Sequence, residues 1–169
     1  MDQKYYEKWL NYTLYLLSLK MRSRAEIIKK LGEKQVDENT QRLVLNFLTE
    51  NRFLDDVQFA LSYIEAKQKS YGPYRLKAYL KQKGVSPEDI ERAFESLEDG
   101  PSSYEVAKGV LDKKMATTTI DWDRIKTDYA YKYKMHQKFS MFLAGRGFSG
   151  DVIKKVVRER LTDEFIDEF

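Results

Sequence analysis

One local pattern recurs in this chain and limits what it can become: a helix closed by a left-handed residue and an apolar residue, followed at once by a new capped helix. Its clearest copy is Tyr71 to Leu97, YGPYRLKAYLKQKGVSPEDIERAFESL. Gly72-Pro73 opens the first helix, since proline presets φ and its missing N–H is no loss in a first turn. Leu76, Tyr79 and Leu80 share one face, and Gly84 closes the helix because glycine takes positive φ without a Cβ clash. Ser86-Pro87-Glu88-Asp89 restarts the chain as N-cap, N1 proline and two carboxylates at the positive end of the helix dipole. Ile90, Ala93, Phe94 and Leu97 continue the second stripe. Neither helix can bury its stripe alone, so a third must cover them.

The grammar returns on both sides. Upstream, Ser23-Arg24-Ala25-Glu26 is a capping box, followed by Ile27, Ile28 and Leu31, then Val36 and an Asp37 cap. Leu31, Val36, Val44 and Leu48 match Leu80, Val85, Ala93 and Leu97 at a shift of 49 residues (31 to 80). Downstream, Phe139, Phe142 and Leu143 lead into Gly147-Phe148-Ser149 and then Ile153, Val156 and Val157, at a shift of 63 (84 to 147). The expected fold class is all-α: three tandem three-helix repeats in an elongated, curved array, at 1–53, 54–99 and 100–169, the last with an acidic C-terminal tail.

The flanking stretches fill in the plan. Residues 3–21 read as a long leading helix with two apolar stripes, one through Leu10, Leu14, Leu17 and Met21, the other through Tyr5, Trp9, Tyr12 and Leu16. Asn51 is the residue suited to a left-handed C-cap after the third helix, and Asp55-Asp56 caps a helix over about 55–70. Leu97 to Ser102 is the clearest break, and Ser102 with Glu105 forms another capping box. Trp122 to Ala144 reads as one long helix or two joined ones. The tail from Thr162 to Phe169 either docks back or frays.

Composition excludes several function classes. With no cysteine there is no disulfide framework, thiolate nucleophile or cysteine-held zinc. At 34% charged and 42% hydrophobic residues the chain is expected to fold, and no run approaches a membrane span. The one histidine, His136, has no partner motif and reads as structural or solvent-facing. Gly145-Arg146-Gly147 lacks the Lys-Ser/Thr of a phosphate loop, and Asp55-Asp56 reads as a cap rather than a cation site. No cofactor, metal or catalytic residue is expected.

Positive charge is the informative feature, by its distribution more than by the net +3. Lys67, Lys69, Arg75, Lys77, Lys81 and Lys83 run through the second repeat with no acid between them. Lys20, Arg22, Arg24, Lys29, Lys30 and Lys34 hold the corresponding part of the first repeat. Lys132, Lys134, Lys138, Arg146, Lys154 and Lys155 hold that of the third. Acids gather at the starts of third helices and in the tail. Stacked repeats would align the basic second helices into a stripe, and Tyr71, Tyr74, Tyr129, Tyr131 and Tyr133 could stack on bases.

Four fragments in order resemble one known family. They are Arg22-Ser23-Arg24-Ala25-Glu26-Ile27; Phe53-Leu54-Asp55-Asp56 with Phe59-Ala60; Gly72-Pro73 with Leu80 and Lys83-Gly84-Val85; and Phe142-Leu143 with Arg146-Gly147-Phe148-Ser149. Together they are similar to the RecX regulatory proteins of bacteria, over nearly the whole chain. Gln35 departs by standing where the other repeats carry Gly84 and Gly147, and Gly145 by standing where the family tends to have a second basic residue. The family's common first-helix alanine is Tyr12 or Leu14. The resemblance implies a non-enzymatic protein that binds the RecA recombinase filament on single-stranded DNA and suppresses its ATP hydrolysis, strand exchange and co-protease activity; the chain is expected to be a cytoplasmic monomer. Contact with single-stranded DNA itself would be weak and non-specific. The residues expected at the interface are Arg22, Arg24, Lys67, Lys69, Tyr71, Tyr74, Arg75, Lys77, Lys81, Lys83, Lys134, Lys138 and Arg146. The rival is a helix-turn-helix-like DNA-binding regulator acting without RecA.

Overall fold

The computed structural model describes residues 3–97 and 100–162. Every regular element among them is a helix: α1 (Gln3–Leu19), α2 (Arg24–Glu33), α3 (Glu38–Glu50), α4 (Asp56–Lys67), α5 (Pro73–Gln82), α6 (Pro87–Glu95), α7 (Ser103–Ala116), α8 (Trp122–Thr127), α9 (Tyr129–Gly145) and α10 (Gly150–Arg160). None is long and apolar enough to cross a membrane. The expected acidic tail lies outside the described residues, as do Glu98 and Asp99 of the expected break.

The caps read from sequence form. Side chains of Ser23, Asp37, Ser86, Ser102 and Ser149 each accept the N3 backbone N–H of α2, α3, α6, α7 and α10. At Ser23 and Ser102 the N3 glutamate returns the bond, completing both capping boxes. Gln58 donates to Asp55, which makes Asp55 the cap of the fourth helix and leaves Asp56 for another task.

Four helix ends close with the same paired backbone bonds. At the ends of α2, α3, α5 and α9, Val36, Phe53, Val85 and Phe148 donate back to Leu31, Leu48, Leu80 and Leu143. The residue just before each donor has positive φ: Gln35 (56°), Arg52 (57°), Gly84 (75°) and Gly147 (83°). Asn51 is therefore not the left-handed residue. Its side-chain amide bonds to the Phe47 carbonyl, and Arg52 takes the turn. Gln35 pays a Cβ penalty that Gly84 avoids, so Gln35→Gly is expected to stabilise the chain by about 0.5–1 kcal/mol, read as a higher urea midpoint at unchanged slope.

Two compact units emerge, Met1–Ile64 with Tyr79–Glu98, and Glu65–Ala78 with Asp99–Phe169. In the first, Trp9, Leu16, Ile27, Leu31, Val36, Val44, Leu45, Leu48 and Leu54 form one buried cluster. The two stripes expected on α1 are unequal. Trp9 and Leu16 are buried, Leu10, Leu14 and Leu17 only partly so, and Leu19 and Met21 are exposed. Thr13 is also buried, its hydroxyl donating to the Trp9 and Leu10 carbonyls at 3.1 and 2.8 Å.

The second unit packs α7, α9 and α10 together, with α8 against α9. Its core holds Ala107, Leu111, Met135, Phe139, Leu143, Phe148, Val156 and Val157. The stretch from Trp122 to Ala144 resolves as two helices broken at Asp128 (φ −113°, ψ 100°), which ends α8 and caps α9. Its carboxylate is bound by Arg124 at 2.7 Å and accepts the Tyr131 N–H at 3.0 Å. The third segment thus carries α8 in addition to a three-helix set.

Candidate functional site

The expected interface residues divide between the two units. In the first unit, the α2 capping box is also a tertiary joint. Ser23 is buried, and while its hydroxyl accepts from Glu26 N it donates to the Lys83 carbonyl at 2.5 Å. Glu26 returns a bond from Ser23 N and takes the Lys83 ammonium at 2.8 Å. Burial would raise the Glu26 pKa; the Lys83 ammonium and the Ser23 N–H outweigh it and hold the carboxyl below its ordinary value. The same bond raises Lys83. Gly84 makes the approach possible, because a Cβ there would lie 2.3 Å from the Ala25 Cβ.

Arg24 and Arg22 are also engaged in the fold. The Arg24 backbone N–H donates to Asp56 at 2.7 Å and its guanidinium to Thr49 at 3.1 Å. Burial, aided by nearby Asp89 and Asp55, pushes the Asp56 carboxyl above the usual aspartate value despite that bond. Arg22 donates to the Leu16 carbonyl at 3.4 Å. Lys81 is exposed. Tyr79, placed in the core by its spacing, is half-buried and stacks on Tyr63 with ring centroids 4.0 Å apart.

The second unit brings Tyr71, Arg75 and Arg146 together. Gly72 N donates to the Arg146 carbonyl at 2.8 Å and Tyr74 N to the Gly147 carbonyl at 3.1 Å. Arg75 donates to the Gly145 carbonyl at 2.6 Å and Arg146 to the Ser70 carbonyl at 3.4 Å. Both guanidiniums lie over the Tyr71 ring, with their carbons 4.7 and 5.3 Å from its centroid, within cation–π range. Glycines make this contact close: a Cβ on Gly72 would sit 2.3 Å from the Gly147 oxygen, and one on Gly147 would sit 2.3 Å from Arg75 N. Gly145, marked in the sequence for the side chain it lacks, contributes its carbonyl instead.

The remaining expected residues differ in exposure. Lys67 and Lys69 are exposed, Lys77 is half-buried, and Lys134 and Lys138 lie exposed on α9. Tyr74 is 65% exposed, whereas Tyr71 is covered by its two arginines. Tyr129 and Tyr133 are exposed and stacked, while Tyr131 is held by Arg124 over its ring and by the Asp121 N–H on its hydroxyl. His136 is half-buried with Nδ1 3.4 Å from the Ser140 hydroxyl. No group of three or more histidine, aspartate or glutamate side chains able to hold a metal occurs among the described residues.

Sequence reasoning missed Asp56 as the carboxylate that ties down the start of α2, and the carbonyls of Ser70, Lys83 and Gly145 as receptors. The one available signal was Gly72 and Gly147, two glycines at helix joints whose close approach only the fold reveals.

Comparison with known proteins agrees with this construction. A family model for the first three-helix domain of RecX matches residues 10–48, and one for the second three-helix domain matches residues 55–93. A Clostridium botulinum (strain Alaska E43 / Type E3) protein named regulatory protein RecX is 30% identical over 147 residues, which cover 87% of this chain and 66% of that protein. A Halalkalibacterium halodurans protein of the same name is 35% identical over 151 residues, 88% of this chain and 53% of that one. The chain thus spans a little under two thirds of the first relative's length and about half of the second's. A crystal structure of a regulatory protein RecX superposes with a TM-score of 0.72 at 25% identity, covering 94% of this chain and 80% of that one. RecX from Lactobacillus salivarius shares the fold, with a TM-score of 0.72 at 22% identity over 92% of this chain and 96% of that one. With both domain models matched in order and the capped joints in place, this chain belongs to the RecX family of regulatory proteins.

Proposed function

We propose that the protein regulates the RecA recombinase by seating on the filament that RecA forms on single-stranded DNA, suppressing its ATP hydrolysis, strand exchange and co-protease activity. It acts as a cytoplasmic monomer, by binding rather than chemistry, with weak and non-specific contact to single-stranded DNA. Its working parts are three modules, 1–53, 54–99 and 100–169. The observation that carries this reading is the cation run from Lys67 to Lys83, which no acid interrupts. A run of positive charge of that kind suits shape-and-charge recognition of an acidic, phosphate-bearing assembly rather than base reading.

The rival, a sequence reader of duplex DNA, fits less well. The helices that would enter a groove N-terminus first begin with Glu38 on α3, Glu88 and Asp89 on α6, and Asp151 on α10. Carboxylates there would meet phosphates.

The test is a titration of this protein into RecA ATPase on single-stranded DNA. Lys67→Glu, Lys69→Glu and Lys81→Glu reverse exposed charges that bond to nothing among the described residues, so the folded state should persist by circular dichroism. The triple variant is expected to need at least about tenfold more protein for half-inhibition, a loss of about 1.4 kcal/mol or more. Unchanged inhibition would remove these cations from the mechanism. Marked sequence preference for duplex DNA without RecA would favour the rival.

A further inference from the structure

The two joints follow one plan and differ in charge. Shifted by 49 residues, Ser23 and Glu26 correspond to Gly72 and Arg75; shifted by 63, Lys83 and Gly84 correspond to Arg146 and Gly147. In each joint a donor of the first residue reaches the same carbonyl: Ser23 Oγ to Lys83 at 2.5 Å, Gly72 N to Arg146 at 2.8 Å. In each, the residue after that carbonyl is a left-handed glycine. The first joint carries its own counter-ion, the Glu26 carboxylate against the Lys83 ammonium.

In the second joint that ion pair is replaced by two arginines. Both guanidiniums crowd the Tyr71 ring, and neither pairs with a carboxylate among the described residues. Each gives one N–H to a main-chain carbonyl, which leaves most of its five donors for a ligand. No acid occurs between Glu65 and Glu88 to supply the missing charge locally. Two planar forks of fixed positive charge match the several oxygens of a phosphoryl group. Lys67, Lys69 and the exposed Tyr74, all in this unit, suit a strand of linked phosphates with bases to stack.

We propose that the second joint is a receptor for a phosphoryl oxyanion, held by Arg75 and Arg146 where the first joint holds its own carboxylate. The inference deepens the filament reading, on which it rests for its biological setting, by naming a phosphate subsite. Free phosphate and the backbone of single-stranded nucleic acid share this chemistry.

Arg75→Glu tests it, because it gives the second joint the charge arrangement of the first and is expected to pair with Arg146 and fold. Wild-type protein should be thermally stabilised by inorganic phosphate and should bind a fluorescein-labelled oligothymidylate in the absence of RecA. The variant should lose the phosphate-induced shift, bind the oligonucleotide on the order of tenfold more weakly and show a salt slope smaller by about 1. If Arg75→Glu does not fold, Arg146→Gln removes one fork without adding charge and should give the same losses. Stabilisation by phosphate without oligonucleotide binding supports the site and assigns it to free phosphate. Undiminished binding of both probes by folded variants, or no response of wild type to either, overturns it. Lost oligonucleotide binding with retained inhibition of RecA ATPase keeps the subsite and detaches it from filament regulation.

Discussion

Gly147→Ala is expected to lower stability by about 3 kcal/mol, a fall of roughly 6–12 °C in Tm for a chain of this size. Two independent effects add at this position. Alanine at φ +83° brings a left-handed penalty of about 1–2 kcal/mol. Its Cβ would also lie 2.3 Å from Arg75 N and 2.4 Å from Arg75 Cβ, and backbone atoms cannot swing away as a flexible side-chain end can. Forcing extra volume into a packed contact costs a further 1–3 kcal/mol or so. Gly72→Ala tests the steric part at a residue without positive φ, because its Cβ would meet the Gly147 oxygen at 2.3 Å. Gly109→Ala is the control of opposite sign. It lies inside α7 with nothing within 4 Å of a new Cβ, so alanine should stabilise by about 0.5–1 kcal/mol. Urea unfolding of the three variants measures all of this; a Gly147→Ala midpoint equal to wild type would mean the joint is looser than its geometry indicates.

The same glycines mark the boundary between what the sequence reveals and what it hides. Caps were legible because they act over three residues: Ser23, Asp37, Ser86, Ser102 and Ser149 each find their partner within one turn. The left-handed ends at Gly84 and Gly147 were legible for the same local reason, and Gln35 could be marked as the position where the pattern lacked its glycine. Arg52 was not, since nothing in its side chain favours positive φ and the neighbouring asparagine was the better candidate. Asp128 shows the intermediate case. An aspartate among tyrosines and lysines could sit on a continuous helix or break it, and the paired bonds to Arg124 and Tyr131 decide for the break.

Long-range partners were not legible at all. Ser23 and Lys83 lie 60 residues apart, and Arg75 and Gly145 lie 70 apart. Arg24, Lys83 and Arg146 fall at helix ends in line with the apolar stripes of Ile27 and Leu31, Leu76 and Leu80, and Phe139 and Leu143, where either a neighbouring joint or an outside partner can take a charged side chain. Spacing cannot show that a neighbouring joint supplies their partners. Five of the thirteen cations and tyrosines expected at the interface, Arg24, Tyr71, Arg75, Lys83 and Arg146, thereby prove to be engaged in tertiary joints, whereas Lys67, Lys69, Lys81, Lys134 and Lys138 are exposed.

Phe139→Ala should have the largest effect of any single substitution considered, about 3–5 kcal/mol. The side chain is fully buried and shares its cluster with Leu111, Leu143, Val156 and Val157, from the other two helices of the set as well as its own. Removing the ring withdraws apolar area from each of them and opens a void that the helices cannot close without moving their shared axis contacts. Met141, two residues along α9, points the other way and is 75% exposed, so Met141→Ala should change stability by less than about 0.5 kcal/mol. The pair therefore tests the orientation of α9 that the stripe of Phe139, Phe142 and Leu143 predicts. Native-state hydrogen exchange gives the decisive readout, with protection expected to fall across α7, α9 and α10 in Phe139→Ala and to hold in Met141→Ala. Equal losses in both would place the wrong face of α9 inward and undo the packing from which the second joint takes its position.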